Sequence, residues 1–145
     1  MPSVEASIVI DRPRDEVWEF LIDPDNLPVY ASNIIEYELI SGDKHEVGRR
    51  GRGAVRVAGR RLEFTDELVE VEPGRRARIA SVQATIPYTL TVTYDDGEGG
   101  ATKVTWHQEV QSLTGFLKVA GPMVAKLYSR DVRSNLEKAK AILES

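Results

Sequence analysis

Two strand-like runs bring together side chains that could do chemistry. In Ile86 to Tyr94, residues Ile86, Tyr88, Leu90, Val92 and Tyr94 share one face, opposite Pro87, Thr89, Thr91 and Thr93. In Thr102 to Val110, residues Val104, Trp106, Gln108 and Val110 share a face, opposite Lys103, Thr105, His107 and Glu109. Tyr88, Tyr94, Trp106 and Gln108 thus combine aromatic surface with a few hydrogen-bonding groups. Small-molecule pockets have that composition, because apolar walls supply affinity and sparse polar groups set orientation. The same face also suits a plain core with tyrosine hydroxyls emerging at its rim. Asp66 keeps the phase of Leu62, Phe64 and Leu68, which aims a carboxylate inward, where burial raises its pKa toward that of a general acid or base. Val69 and Val71 break the phase, so an extra residue between 65 and 69 would instead turn Asp66 to solvent. If protons are moved here, Asp66, Tyr88 and Gln108 are the groups to suspect.

Other chemistries lack their residues. The chain has no cysteine, which removes disulfides, thiolate metal sites, iron-sulfur clusters and a cysteine nucleophile. His45 sits in the polar turn Gly42-Asp43-Lys44-His45 and His107 is out of phase with Trp106, so both are expected at the surface and no metal site is expected. Ser32, Ser41, Ser81 and Ser112 have no Gly-x-Ser-x-Gly context. No cofactor is called for. The most uneven feature is charge: Arg49, Arg50, Arg52, Arg56, Arg60 and Arg61 fall in a stretch without an acid, and Arg75, Arg76 and Arg78 follow across a turn, so nine of the 19 basic residues lie there. With a turn at Ala58-Gly59, Val55 faces Leu62, Arg50 faces Glu67 and Arg56 faces Arg61, an opposition that costs stability. This stripe suits anionic head groups, a phosphorylated ligand or RNA. It equally suits a solvated face compensated by Glu36, Glu38, Glu63, Glu67 and Glu70.

These residues need elements to hold them, and the chain is long enough to supply them. Its 145 residues carry 19 basic and 23 acidic side chains, a formal charge of -4, and a pI near 5.3. A chain of this length buries roughly 70% of the surface its unfolded form exposes, and about 27% of it is Leu, Ile, Val or Phe, above the roughly 20% that marks disorder. No repeat, low-complexity tract or linker divides it, which predicts one domain over 1–145. MPSVEASIVID lacks a basic start and a long apolar segment, and no run reaches about 18 apolar residues, so no signal peptide or membrane span is expected and a cytoplasmic location is the default. The acidic total argues against a general nucleic-acid binder.

Val4, Ala6, Ile8 and Ile10 alternate as a half-buried strand. Pro13, Asp15 and Glu16 start a helix whose buried stripe is Val17, Phe20 and Leu21, and Asp23-Pro24 starts a second that Pro28 keeps short. From Ile34 to Val110, turn chemistry at Ser41 to Gly48, Ala58-Gly59, Pro73-Gly74 and Asp95 to Gly100 separates six antiparallel strands. After Gly115 the period changes: Phe116, Ala120, Met123 and Leu127, then Val132, Leu136, Ala139 and Leu143, predict one long terminal helix with a break or bend at Pro122.

Strand, two short helices, six antiparallel strands and a long helix is the order of the helix-grip α+β fold. The run Ile8-Val9-Ile10-Asp11-Arg12-Pro13-Arg14-Asp15-Glu16-Val17-Trp18 resembles the opening of the START-like, birch-pollen-allergen-like (SRPBCC) superfamily, in its polyketide cyclase/dehydrase and lipid transport branch. Asp23-Pro24-Asp25-Asn26-Leu27, Val69-Glu70-Val71-Glu72-Pro73-Gly74-Arg75-Arg76 and Asn135-Leu136-Glu137-Lys138-Ala139-Lys140 agree with it, and Tyr30 stands where many relatives carry tryptophan. The resemblance implies a curved sheet of about seven strands wrapped around the terminal helix, with an apolar pocket between them. Its wall would include Tyr30, Tyr37, Val55, Phe64, Tyr88, Leu90, Trp106, Gln108, Met123 and Leu127. The resemblance further implies a ligand that is a hydrophobic small molecule: a lipid, a polyketide or an isoprenoid-like compound. Binding or carriage ranks first, polyketide cyclase or aromatase chemistry second, and an RNA- or protein-interaction module using the arginine stripe third. Oligomeric state is left open.

Overall fold

A computed structural model describes residues 3–57, 59–110 and 116–145, with side chains in the last helix described at 123 and from 126 onward. Ala58, Ser112, and the side chains of Phe116 and Ala120 lie outside the described residues. The chain runs β1 (Ser3–Ile10), α1 (Arg14–Ile22), a 3-10 turn (Pro24–Asn26), α2 (Leu27–Tyr30), then β2 (Ile34–Ser41), β3 (Arg50–Val57), β4 (Arg60–Glu72), β5 (Arg76–Ala84), β6 (Tyr88–Asp96) and β7 (Thr102–Val110), and ends in α3 (Phe116–Glu144). The strands form one antiparallel sheet in the order β1-β7-β6-β5-β4-β3-β2. This is the helix-grip arrangement, a curved sheet around a long C-terminal helix.

Asp23 opens the 3-10 turn by accepting the Asp25 backbone N–H at 3.0 Å, satisfying a donor the short helix leaves free. In α1 the buried residues are Val17, Trp18, Leu21 and Ile22. Trp18 meets Tyr94 of β6 edge-on at 5.3 Å, while Phe20, expected in the buried stripe, is half-buried and tilts against Tyr30. In α3, Val132, Leu136 and Ala139 are buried at spacings of four and three and form the stripe that packs on the sheet. α3 is one helix from Phe116 through Pro122 to Glu144, without the break expected at Pro122.

Ile10, Val17, Leu68, Val104 and Leu136 are among the most deeply buried side chains, and together they make a solid core where α1, β1 and the C-terminal half of α3 meet the sheet. Thr102, equally buried, donates its hydroxyl to the Arg12 carbonyl at 2.8 Å. Two polar clasps hold α3 at either end of that core. Asn135 donates to Asn33 and accepts from the Ser32 N–H, and Glu144 accepts the Asp11 N–H while Lys140 donates to the Val9 carbonyl. With the helix held at both ends of its C-terminal half, the space beneath β2 to β6 is left for a cavity.

Candidate functional site

A cavity of about 590 Å³ opens between the inner face of the sheet, the short helices and α3. The volume is that of a site for a drug-sized molecule. Its wall is mostly apolar and draws on Leu21, Ile22, Leu27, Ile34, Val55, Leu62, Phe64, Ile79, Leu90, Val92 and Val132. All five tyrosines of the chain, Tyr30, Tyr37, Tyr88, Tyr94 and Tyr128, also line it.

Asp66 is 6% exposed and faces this space. The orientation of Asp66 depends on where the extra residue of β4 falls. Asp66 pairs with Ser81 and Leu68 with Ile79, but Glu70 pairs with Arg78, which leaves Val69 as the inserted residue. The bulge therefore lies beyond Leu68, and the inward phase from Leu62 through Asp66 is kept. The other register shift, between Thr65 and Asp66, skips Val82 of β5 and does not turn β4.

Two tyrosine hydroxyls grip the carboxylate. Tyr37 donates to Oδ1 at 2.6 Å and Tyr88 to Oδ2 at 3.3 Å. Phe64 stacks on Tyr37 at 5.9 Å and meets Tyr88 edge-on at 6.3 Å, so the rings wall off the acid from water. Tyr37 can reach it because β3 offers glycine on its inner face. A Cβ on Gly51 would stand 1.9 Å from the Tyr37 hydroxyl, and one on Gly53 would stand 2.4 Å from the Glu36 carbonyl oxygen. The alternation Arg50-Gly51-Arg52-Gly53 thus puts arginine outside and an open track inside.

Burial pushes the Asp66 carboxyl above its ordinary range. The Tyr37 and Tyr88 hydroxyls, the Arg49 charge and the Gly51 backbone N–H oppose the shift without cancelling it. Burial likewise raises Tyr30, Tyr37, Tyr88 and Tyr94, and holds Tyr128 at about 12. Near neutral pH the phenols are therefore donors, and Asp66 can exchange a proton closer to neutrality than a surface aspartate does.

A second polar group stands on β7. Gln108, 6% exposed, accepts through Oε1 from Trp106 Nε1 at 3.3 Å and from the Tyr128 hydroxyl at 2.8 Å. With the oxygen so engaged, its amide N–H groups have no hydrogen-bond partner among the described residues.

The structure brings Tyr30, Tyr37, Val55, Phe64, Asp66, Tyr88, Leu90, Trp106 and Gln108 to one cavity, but it leaves two expected wall residues outside. Met123 is 68% exposed and Leu127 is 37% exposed. The buried stripe, followed back from Leu136 and Val132 in steps of four, reaches Tyr128 and not Leu127. The Met123-Leu127 spacing is helical but lies on another face. Tyr128 was missed for that reason.

Arg49 also departs from expectation. The run of like charges predicts an outer position for it, yet it is buried and lines the cavity. Its parity with Gly51 and Gly53, opposite to Arg50, Arg52 and Arg56, was the available signal. The outer arginines are engaged with acids: Arg50 with Glu67, Arg52 with Glu38, Arg61 with Glu36 and Glu63, and Arg76 and Arg78 with Glu70. Arg56 faces Arg61 in the ladder, as the turn at Gly59 requires. The histidines stand apart from the cavity, His45 beside Glu19 and His107 beside Glu5 and Glu109. Among the described residues no three His, Asp or Glu side chains are grouped to hold a metal, and no helix is long and apolar enough to cross a membrane.

Residues 1–144 match the model of the family described as polyketide cyclase / dehydrase and lipid transport. The chain belongs to that family. Solved structures share the fold. A protein from Thermus thermophilus superposes with a TM-score of 0.85 at 23% identity, covering 98% of this chain and 97% of that one. The Zhui aromatase/cyclase of Streptomyces sp. R1128 gives 0.82 at 16% identity, covering 99% and 93%. A START superfamily protein of Mycobacterium smegmatis gives 0.79 at 14%, covering 98% and 97%. At these identities the likeness concerns the fold. No curated protein matches the sequence.

Proposed function

We propose that this family member binds and carries a hydrophobic small molecule, a lipid, polyketide or isoprenoid-like compound, in the cavity between the sheet and α3. The observation that carries the reading is the cavity itself. About 590 Å³ of predominantly apolar wall, interrupted by polar groups at Asp66 and Gln108, is the build of a ligand site, because a plain core closes to near-crystalline density and keeps few voids larger than water. Native mass spectrometry of protein purified from its own host tests it. A retained apolar molecule, one per chain, is expected. Uniformly empty protein that also fails to take up apolar compounds would overturn the reading.

The placement of Asp66 between Tyr37 and Tyr88 favours a second reading, cyclisation of a poly-ketone chain. In it the Asp66 carboxylate removes a proton from a carbon beside one carbonyl, that carbon attacks a second carbonyl of the same chain, and Tyr88 donates its proton to the resulting oxyanion. The fold shared with an aromatase/cyclase is compatible with this step. Loss of ring formation in Asp66→Asn and Tyr88→Phe, with poly-ketone binding intact, is the expected result. Unchanged ring formation in both would remove the reading. The third reading, an anionic partner on the arginine face, ranks last, because Arg50, Arg52 and Arg61 already have carboxylate neighbours.

A further inference from the structure

A buried cation faces the cavity with part of its hydrogen-bonding capacity unused. Arg49 is 5% exposed and lines the cavity, and a guanidinium taken out of water is costly unless something pairs it. Its backbone is held by the ladder to Leu68. Both of its side-chain hydrogen bonds leave from Nη1, to the carbonyls of Ile22 and Lys44. Nε and Nη2 have no hydrogen-bond partner among the described residues. These two nitrogens present parallel N–H groups on one edge of the plane, the fork that matches the two oxygens of a carboxylate.

The acids around the cavity are already engaged elsewhere. Asp66 is held by Tyr37 and Tyr88, Asp23 lies beside Lys44 and accepts the Asp25 N–H, and Glu63 lies beside Arg61. Yet the Arg49 charge opposes the rise that burial imposes on Tyr30, Tyr37 and Asp66, so it acts at the level of the polar cluster inside the cavity.

We propose that Arg49 is the receptor for an acidic head group, and that the ligand is an apolar molecule ending in a carboxylate. The carboxylate lies on Nε and Nη2, and the apolar body extends along Phe64, Leu90 and Trp106. One fork carries one positive charge, which suits a monoanion better than a phosphate dianion in an apolar cavity. This assignment rests on the proposed role of the cavity in taking up apolar molecules and specifies which of them it selects.

Three probes separate the two claims: neutral N-phenyl-1-naphthylamine, and dodecanoic acid and 1-dodecanol as competitors that displace it. The wild-type protein is expected to bind the acid more tightly than the alcohol by a factor on the order of ten or more, as a charge-assisted hydrogen-bond pair provides. Arg49→Gln should bring that ratio close to one, because the charged fork is lost, with the neutral probe still bound. Arg52→Gln, on the outer face, should leave the ratio unchanged. Arg49 also clasps two carbonyls, so if Arg49→Gln does not fold, Arg49→Lys replaces it. The ammonium keeps the charge without the fork, and a reduced ratio is expected. Uptake of the neutral probe with equal affinity for acid and alcohol would overturn the assignment and leave the carrier reading standing. A preference that survives at Arg49→Gln, or that disappears at Arg52→Gln, would overturn it too. Failure of all three probes to bind would sink both.

Discussion

Asp66 shows at the scale of a single residue how burial and hydrogen bonding compete. Its folded pKa lies above the ordinary 3.8 because burial outweighs the hydroxyls, the Arg49 charge and the Gly51 N–H. Between the unfolded and the raised folded value the native state therefore binds the extra proton, so stability contributed at this position falls as pH rises. Below the unfolded value both states are protonated and the cost is absent. Asp66→Asn removes the titration. Its melting temperature relative to wild type should rise as pH is taken upward from about 3.8, then level off above the folded pKa. A difference that is flat with pH, or that runs the other way, would show that Asp66 is not held as a buried acid. The inward phase of this residue was legible from Leu62, Phe64 and Leu68. Its partner Tyr37 and the glycine track that admits it were not, since a close approach between strands leaves no trace in periodicity. Arg49 was readable in principle, by its parity with Gly51, but it was lost inside a run of like charges.

At the scale of elements, Met123 and Leu127 of α3 do not share a face with Val132, Leu136 and Ala139. Leu136 is among the most deeply buried side chains, and Met123 stands in solvent. Leu136→Ala should cost about 2–5 kcal/mol in urea unfolding, and Met123→Ala under about 0.5 kcal/mol. Comparable losses at both positions would mean that Met123 is covered. The order of strands and turns could be read directly because turn chemistry at Pro73-Gly74 and Asp95 to Gly100 interrupts clean alternation. The outward placement of Met123 and Leu127 could not, because their spacing is helical by itself and only a common reference, the sheet, shows which face is inward. The β3–β4 hairpin carries a further test. Arg56 opposes Arg61 in the ladder, while Arg61 already lies beside Glu36 and Glu63. Arg56→Glu should therefore change stability by less than about 1 kcal/mol, in the stabilising direction, since exposed ion pairs contribute little. If the arginine face binds RNA or anionic vesicles, the same variant would instead show itself in weakened, salt-sensitive binding.

For the whole molecule, a solid half supports a hollow half. The core around Ile10, Val104 and Leu136 and the clasps at Asn135 and Glu144 fix α3 against β1 and the segment after α2, so the inner faces of β2 to β6 need not close on themselves. Family and fold were legible from element order and from the motifs at Ile8 to Trp18 and Asn135 to Lys140. The size of the cavity was not, because a residue facing a void and a residue facing a neighbour have the same period. The central claim is that the cavity takes one apolar molecule, and the most direct measurement is a fluorescence titration with N-phenyl-1-naphthylamine. The chain has two tryptophans, and Trp18→Phe leaves Trp106, which lines the cavity, as the sole reporter. The account predicts saturable quenching of Trp106 emission with a stoichiometry near one probe per chain. An absence of saturable quenching, or several weak sites that leave Trp106 emission unchanged, would contradict it.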